Sequence, residues 1–333
     1  MAAAVKADGY GHGLVRVAQT LDADAFAVAC IEEALILREA GISRPILLLE
    51  GVFEATELPW CARHELEIAV HHPEQVSMLE HARLERPLRV WLKIDSGMHR
   101  LGLEPETVPS MWRRLRDCPA VRPDLGLMSH LARADERDCP YTPRQLQRFE
   151  SATAGLSGER SLANSAGILG WPQTHFDWVR PGIMLYGASP FADSLAPDEG
   201  LRPVMTMSTR LIAIKRLSAG EPVGYGGTWT CPEDMDVGVA AIGYGDGYPR
   251  HAPSGTPVLL NGREAALIGR VSMDMITVDL RRHPEARVGD PVVLWGEGLP
   301  VERIAQLAGT ISYTLTCGVK ARAMREVVLA DGG

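Results

Sequence analysis

Short apolar runs separated by stretches with helical spacing dominate the first two-thirds of the chain. Eight runs are typical of strands: residues 2–5, 25–29, 45–50, 66–70, 90–94, 126–131, 161–165 and 178–186. The stretches between them place apolar residues at helical intervals, and IEEALILREAG ends at Gly41, a common helix C-cap residue. Strands that are apolar almost throughout are typical of a parallel sheet covered by helices. The pattern therefore predicts an α/β fold, a (β/α)8 TIM-like barrel.

The pattern changes after about residue 200. Residues 204–330 contain strand-like runs such as VGVAAIGYG, EAALIGRV and PVVLWG, and glycine-rich turns separate them. Helical spacing is scarce except near residues 301–309. This pattern of short strands and glycine-rich turns predicts a mostly antiparallel β domain. We place the boundary near Leu201, with the barrel over residues 1–201 and the C-terminal β domain over residues 202–333.

Composition narrows the class of protein. The net charge of −8 gives no general affinity for nucleic acid, and no apolar run is long enough to cross a membrane. The first residues lack the layout of a signal peptide. None of the six cysteines forms a C-x-x-C pair, which is typical of reduced thiols in a cytosolic protein. We expect a cytoplasmic protein without a metal site, and neither nucleic acid nor membrane as a partner.

Polar residues follow the ends of several predicted strands. They are Lys6 after the first, Lys93, Asp95 and Arg100 after the fifth, His130 after the sixth, Asn164 and Ser165 after the seventh, and Arg180 after the eighth. In a barrel of this type, active groups collect at the carboxyl ends of the strands. Each residue also has an ordinary explanation, such as a solvated lysine or a core histidine. Their coincidence at one end of the barrel nevertheless predicts a functional cleft.

The residues in this cleft restrict its chemistry. The chain has no P-loop, no H-E-x-x-H and no G-x-S-x-G motif, and no carboxylate cluster suited to a divalent metal. A lysine can form a Schiff base with an aldehyde cofactor. Backbone amides after Arg180-Pro181-Gly182 are able to bind a phosphate group. Pyridoxal 5'-phosphate needs both features.

Nine motifs across both domains carry a resemblance to a known family. They are AVKADGYGHG, VWLKIDSGMHRLG, MSHLARADE, LANS, VRPGIMLYG, VGYGGTW, GYGDGYPR, GRVSMDM and ISYTLTC. In this order they resemble the bacterial alanine racemases, which use pyridoxal phosphate, and most closely the catabolic branch of that family. The resemblance extends over essentially the whole chain.

The resemblance implies an isomerase that interconverts L-alanine and D-alanine by two-base proton transfer at Cα. Lys6 would carry the cofactor as a Schiff base and act as one base, and Tyr225 of the partner subunit would be the other. His130 would assist Tyr225, and Arg180 would contact the pyridine nitrogen of the cofactor. The family implies a head-to-tail homodimer in which the active sites are shared between subunits.

The same resemblance assigns further site residues. The cofactor contacts would come from Tyr10, Asn164, Ser165, Gly182, Ile183 and Tyr313, most of them at its phosphate. Arg100 and the Met273 amide would bind the substrate carboxylate, next to Tyr225. Tyr244, Asp135, Arg250 and Arg270 would line a narrow substrate channel that favours alanine. Lys93 matches a lysine that is carbamylated in many relatives, with a salt-bridged or solvated amine as the alternative.

One departure from the family concerns the start of the sequence. Members usually carry a strand and a helix ahead of the lysine motif, and we expect this chain to lack them because Met1 stands five positions before Lys6. Alternatives therefore stay open at this point. They include a broader amino-acid racemase of the same fold, a truncated inactive remnant that binds the cofactor, a non-catalytic cofactor carrier and a related decarboxylase.

Overall fold

The computed structural model describes residues 1–328. These residues form two compact units. The first comprises Met1–Leu185 with Ser189–Ser194, and the second comprises Tyr186–Ala188 with the residues from Leu195 onward. The boundary that we placed near residue 201 stays a prediction.

The first unit is a curved parallel sheet of seven strands whose spatial order follows the chain. The strands are β1 (Ala2–Ala4), β2 (Ala25–Val28), β3 (Ile46–Leu48), β4 (Leu66–Val70), β5 (Val90–Lys93), β6 (Gly126–Met128) and β7 (Glu159–Ser161). The helices are α1 (Lys6–Tyr10), α2 (Leu14–Thr20), α3 (Ile31–Glu39), α4 (Leu58–Arg63), α5 (Pro73–His81), α6 (Val108–Arg116), α7 (Tyr141–Thr153) and α8 (Ser165–Gly170). The predicted barrel architecture is confirmed.

The eighth predicted strand, over residues 178–186, is wrong in detail. Trp178 makes only an isolated parallel bridge to Ser161, and residues 183–186 form a 3-10 helix. Pro181 has no N–H group, so this segment cannot continue a regular ladder. Its carbonyls still accept from β1, because Ala2 N–H donates to the Val179 oxygen and Ala4 N–H to the Pro181 oxygen, both at 2.9 Å. The segment therefore closes the barrel without being a strand.

The seventh predicted strand is also displaced along the chain. We expected residues 161–165, whereas β7 ends at Ser161. The LANS residues then lead into α8, where Asn164 is the N-cap and its side-chain oxygen accepts from Gly167 N–H at 3.0 Å. The Asn164 side chain thus satisfies an N–H in the first turn of the helix, which has no partner within the helix.

Trp91 and two polar neighbours, Glu67 and Arg89, fill part of the barrel interior. Trp91 packs with small and apolar residues of the other strands on the face that points away from the helices. Its indole N–H donates to Glu67 at 2.7 Å, and the Arg89 guanidinium lies 5.1 Å from the ring centroid. A Cβ on Gly126 would lie 2.3 Å from the Trp91 ring, so only glycine fits beside it. The Trp91 ring therefore requires glycine at position 126 on the neighbouring strand β6.

The strands of the second unit are β8 (Met207–Leu217), β9 (Pro222–Val223), β10 (Trp229–Thr230), β11 (Met235–Ala240), β12 (Pro257–Leu260), β13 (Arg263–Ile268), β14 (Ile276–Asp279) and β15 (Pro291–Trp295), and its helices are α9 (Val301–Leu307) and α10 (Ser312–Cys317). Six of these strands form a closed antiparallel barrel in the order β11-β14-β13-β12-β15-β8. The predicted antiparallel β domain is confirmed. None of the helices formed by residues 1–328 is long and apolar enough to span a membrane.

Replacing Gly126 by alanine should destabilise the first unit by about 1–3 kcal/mol, because the new methyl group overlaps the Trp91 ring. Urea unfolding with a tryptophan fluorescence readout measures this change. Removing the large ring with Trp91→Leu should abolish most of the cost of Gly126→Ala in the double variant. An equal cost in both backgrounds would contradict the steric explanation.

Candidate active site

Lys6 lies in a left-handed turn directly after β1. Its side chain is half-buried, and the next four residues have φ values of 54°, 54°, 60° and 51°. Gly9 adopts such a conformation freely, but Ala7, Asp8 and Tyr10 do not, and left-handed backbone costs about 1–2 kcal/mol for each such residue. The candidate catalytic lysine therefore begins a strained segment that the surrounding structure must hold.

Tyr10, Gly182 and Ser165 lie close together near the start of the 3-10 helix. A Cβ on Gly182 would lie 2.5 Å from the Tyr10 hydroxyl oxygen, so a side chain there would displace the tyrosine. The buried Ser165 hydroxyl accepts from Gly182 N–H at 2.8 Å and from Met184 N–H at 3.4 Å. Because its oxygen accepts both bonds, the Ser165 proton is available to donate to a ligand.

Arg180 is buried and held entirely by neutral groups. Its Nη1 donates to the Ser161 hydroxyl, and its Nη2 donates to the Ser129 carbonyl and lies 3.4 Å from His130 Nδ1. Burial lowers the pKa of Arg180 to about 10, and no carboxylate among residues 1–328 forms an ion pair with it. Of its five N–H donors, Nε–H and the second Nη1–H make no hydrogen bond within residues 1–328, so both are left for a ligand. The sequence analysis missed Ser129 and Ser161, although both are small polar residues at strand ends beside predicted site residues.

Positive charge collects around His130. Burial is the main cause that lowers the pKa of His130 well below its ordinary value. Four cations act in the same direction: Arg180, Lys93, Arg100 and Lys6. The ring is therefore neutral near pH 7. Since Nδ1 faces a guanidinium donor, the geometry assigns the ring proton to Nε2.

Lys93 is buried at the end of β5, and its amine is poorly solvated. Burial lowers the pKa of Lys93 to about 8, with further lowering by Arg180, Arg100 and Lys6. The carboxylate of Glu50 acts in the opposite direction. The sequence analysis did not identify Glu50, which stands at the end of an apolar run and carries no motif signal.

Arg100 is exposed in a loop whose base is closed by the bridge between Ile94 and Leu103. The Asp95 carboxylate fixes the loop from inside, accepting from Gly97 N–H at 2.9 Å and His99 N–H at 3.0 Å. Burial raises the pKa of Asp95, but the hydrogen bonds from His99 and Gly97 outweigh it and hold the pKa below its ordinary value. The loop is therefore well defined, and its guanidinium is accessible.

Two predicted residues of the first unit lie in supporting positions. Asn164 uses its amide within the protein, since its N–H also donates to the Leu131 carbonyl at 3.3 Å. Asp135 is half-buried in the turn region after His130. The predicted roles of Asn164 at the cofactor and of Asp135 in the channel stay predictions.

The predicted residues of the second unit lie mostly on exposed loops. The side chain of Tyr225 is 68% exposed, and a Cβ on its neighbour Gly226 would lie 3.2 Å from the Arg270 guanidinium. Tyr244 N–H donates to the Ser272 carbonyl at 3.1 Å, next to Met273. The Tyr225 and Tyr244 loops thus both contact the segment 270–273.

The remaining predictions in this unit are less clustered. Arg250 is exposed after the Tyr244 loop, and Tyr313 is half-buried in α10. Met273 is 52% exposed, and within residues 1–328 its N–H donates no hydrogen bond. The assigned roles of Tyr225, Tyr244, Arg270, Arg250, Tyr313 and Met273 stay predictions.

Comparison with known proteins places these features in a family. The description "Alanine racemase, N-terminal domain" matches residues 1–190, and "Alanine racemase, C-terminal domain" matches residues 204–327. This chain belongs to the alanine racemase family. An alanine racemase of Nitrosococcus oceani is 58% identical over 97% of this chain and 91% of its own. The biosynthetic alanine racemase of Escherichia coli is 54% identical over 98% of this chain and 92% of its own.

Solved structures agree with the sequence comparison. The crystal structure of biosynthetic alanine racemase from Pseudomonas aeruginosa has a TM-score of 0.95 at 50% identity, covering 98% of this chain and 91% of that one. The predicted function, an alanine racemase and thus an isomerase, is confirmed. The predicted similarity to the catabolic branch is not supported, because these alanine racemases from two organisms are named biosynthetic. The shared motifs identify the family and do not separate its branches.

In buffer freed of bicarbonate, where the amine is not carbamylated, we expect Lys93 to titrate with a midpoint of about 8, because burial and neighbouring cations disfavour its charged form. NMR of protein labelled with 13C-lysine measures the midpoint, and Lys93→Met identifies the signal. Glu50→Gln should lower the midpoint further, since it removes the carboxylate that stabilises the ammonium. A midpoint near the ordinary value of 10.5 would contradict this description of the site.

Proposed function

We propose that this protein racemises alanine by moving a proton at Cα between two bases, Lys6 and Tyr225 of the partner subunit. Pyridoxal 5'-phosphate is the proposed cofactor. The observation that carries the proposal is the cationic mouth of the first barrel, where the Arg180 guanidinium lies 3.4 Å from His130 Nδ1. Lys93, Arg100 and Lys6 are close enough to lower the pKa of His130 further. The names of the biosynthetic relatives favour supply of D-alanine as the role.

The first unit fits the cofactor. Its mouth is rich in positive charge, which suits an anionic phosphate group. Tyr10, the Ser165 hydroxyl and the Ile183 amide would hold the phosphate, and the lack of a side chain on Gly182 leaves room for Tyr10. The Gly182 amide would join them by giving up its bond to the Ser165 oxygen. Asn164 and Tyr313 would complete the binding site. When bound, the cofactor withdraws electrons from the amino acid and acidifies its Cα–H bond.

Arg180 would act on the pyridine nitrogen of the cofactor. Guanidinium stays protonated and has no acceptor, so it donates a hydrogen bond and leaves that nitrogen unprotonated. Ser161 and Ser129 each accept from one terminal nitrogen and His130 faces the other Nη2–H, which leaves Nε–H and the second Nη1–H for this bond. By leaving that nitrogen unprotonated, Arg180 would limit the electron withdrawal that the cofactor supplies, which would favour return of the proton to Cα over side reactions.

His130 would tune the tyrosine base. Tyrosine has an ordinary pKa of about 10, so its phenolate needs a donor or a positive field near neutral pH. The neutral His130 ring carries its proton on Nε2, as assigned above, and can donate to the phenolate of the partner's Tyr225. Lys6 serves the opposite face of Cα, since one fixed base could not reach both faces.

Substrate binding would come from both units. Arg100 is accessible in its fixed loop, and the Met273 amide makes no hydrogen bond within residues 1–328, so both are available to a carboxylate. Tyr244, Asp135, Arg250 and Arg270 would narrow the channel and favour a small side chain. Lys93 would be carbamylated, since its lowered pKa leaves more of the amine neutral and reactive than in an exposed lysine, and the anionic carbamate would orient Arg100.

The assembly and location are further parts of the proposal. Tyr225 is exposed on its own unit, as a residue that serves the active site of a second subunit must be before assembly. A head-to-tail homodimer with shared sites accounts for this. None of the six cysteines, all of which lie within residues 1–328, forms a disulfide, which supports a cytoplasmic location.

The purified chain with pyridoxal 5'-phosphate should show an absorbance band at about 420 nm and convert L-alanine into D-alanine. Lys6→Ala should lose the band and at least about 1,000-fold in kcat, because it removes both the cofactor anchor and one base. Lys215→Ala, at an exposed lysine on β8, is the matched control and should keep both. A clear preference for a basic amino acid over alanine would contradict the substrate assignment.

Mixing two inactive variants tests the shared site. If Lys6 of one subunit acts with Tyr225 of the partner subunit, hybrids of Lys6→Ala and Tyr225→Phe contain one intact site each. Random pairing then restores about a quarter of wild-type activity after co-expression. Co-expression of two differently tagged Lys6→Ala chains should restore none. Absence of recovery in the mixed hybrid would show that each site uses residues of a single chain.

A further inference from the structure

Glu33 bridges two loops at the mouth of the first barrel. It lies in the first turn of α3 and is half-buried. One carboxylate oxygen accepts from Ala7 N–H at 2.7 Å, and the other accepts from Ala29 N–H at 3.0 Å. Ala7 is the residue after Lys6, whereas Ala29 follows β2. The carboxylate thus joins the loop that carries the candidate catalytic lysine to its neighbour.

The bond to Ala7 fixes a backbone that is strained. Ala7 has φ 54° and begins the left-handed segment that continues through Asp8 and Tyr10. Left-handed backbone is unfavourable for these residues, and it persists only where other contacts outweigh its cost. A hydrogen bond to an ionised carboxylate is about twice as strong as one between neutral groups. Glu33 is therefore well suited to hold Ala7 in this conformation.

Other bonds stabilise the far end of the segment. Asp8 Oδ1 accepts from Leu14 N–H at 2.9 Å, which ties the turn to the start of α2. Gly9 N–H donates to the Val5 carbonyl at 2.8 Å, within the turn itself. Glu33 provides the link to a different loop, 26 positions along the chain from Ala7. This link fixes where the turn lies relative to the rest of the barrel mouth.

The simplest alternative is that Glu33 only caps its own helix. The bond from Ala29 fits that description, because residues before a helix often donate to a carboxylate in its first turn. The bond from Ala7 does not, since Ala7 belongs to the loop after β1. Glu32 is the natural comparison, because it is exposed and contacts the Cys30 side chain.

We propose that Glu33 is a positioning residue for Lys6, which holds the left-handed turn so that Lys6 and Tyr10 both point into the barrel mouth. The effect of Glu33 on catalysis rests on the proposed function. The effect of Glu33 on the backbone does not rest on it and can be measured without turnover. Glutamine is a close match in size but has one acceptor oxygen, so Glu33→Gln can keep only one of the two bonds.

Hydrogen exchange of the holoenzyme, followed by mass spectrometry, tests the backbone part. In Glu33→Gln the amides of residues 7–14 should exchange at least about 10-fold faster, with the peptide covering β3 unchanged. The value of kcat for alanine should fall about 10-fold while KM changes less than about twofold, because Lys6 is misplaced and Arg100 is not. The matched control Glu32→Gln should alter neither.

A second variant separates strain from general destabilisation. Glycine adopts positive φ without penalty, so Ala7→Gly should restore slow exchange and most of kcat in the Glu33→Gln background. Unchanged exchange in Glu33→Gln, or fast exchange with unchanged kcat, would overturn the proposal. If the wild-type enzyme does not turn over alanine, the proposed function fails, and the exchange comparison alone decides whether Glu33 holds the turn.

Discussion

Burial of the Arg180 guanidinium without a carboxylate is the constraint on which the site depends. A buried cation is normally paired, because losing its hydration is costly. Here Ser161 and Ser129 satisfy its terminal nitrogens with neutral oxygens, so its charge is not cancelled. Burial is the main cause that lowers the pKa of His130 and Lys93, and the charge of Arg180 lowers both further. The barrel mouth is consequently positive and suited to anionic ligands.

Closure of the barrel brings the two ends of the site together. Segment 178–181 hydrogen-bonds to β1, which leads directly into Lys6, and it also carries Arg180 and leads into Gly182. A regular eighth strand would have continued the ladder through Pro181, which has no N–H to give. Because this segment is not a regular strand, the chain turns at Gly182 and Ile183 and passes beside Tyr10. The segment that closes the barrel therefore also carries residues of the candidate site.

The two units divide the proposed chemistry between them. The first holds the lysine, the histidine and the arginines, and it accounts for cofactor binding by charge and shape. The second presents Tyr225 and Met273 on exposed loops that pack against one another through segment 270–273. Neither unit contains both proposed bases. If Tyr225 acts in the site of the partner subunit, as proposed, activity depends on assembly.

The sequence by itself determined the fold class, because parallel strands buried on both faces and antiparallel strands with glycine turns leave different periodicities. It also predicted that Lys6 and His130 lie at one end of the barrel, since the carboxyl ends of parallel strands share an edge. It placed Arg180 there through an eighth strand, whereas the structure brings Arg180 there on an irregular segment. It could not show that residues 178–186 are not a strand, because their apolar content resembles one. Only the tertiary structure brought Glu33, Ser129 and Ser161 to the site. Their roles come from contacts between loops distant in the chain, and such contacts leave no local pattern.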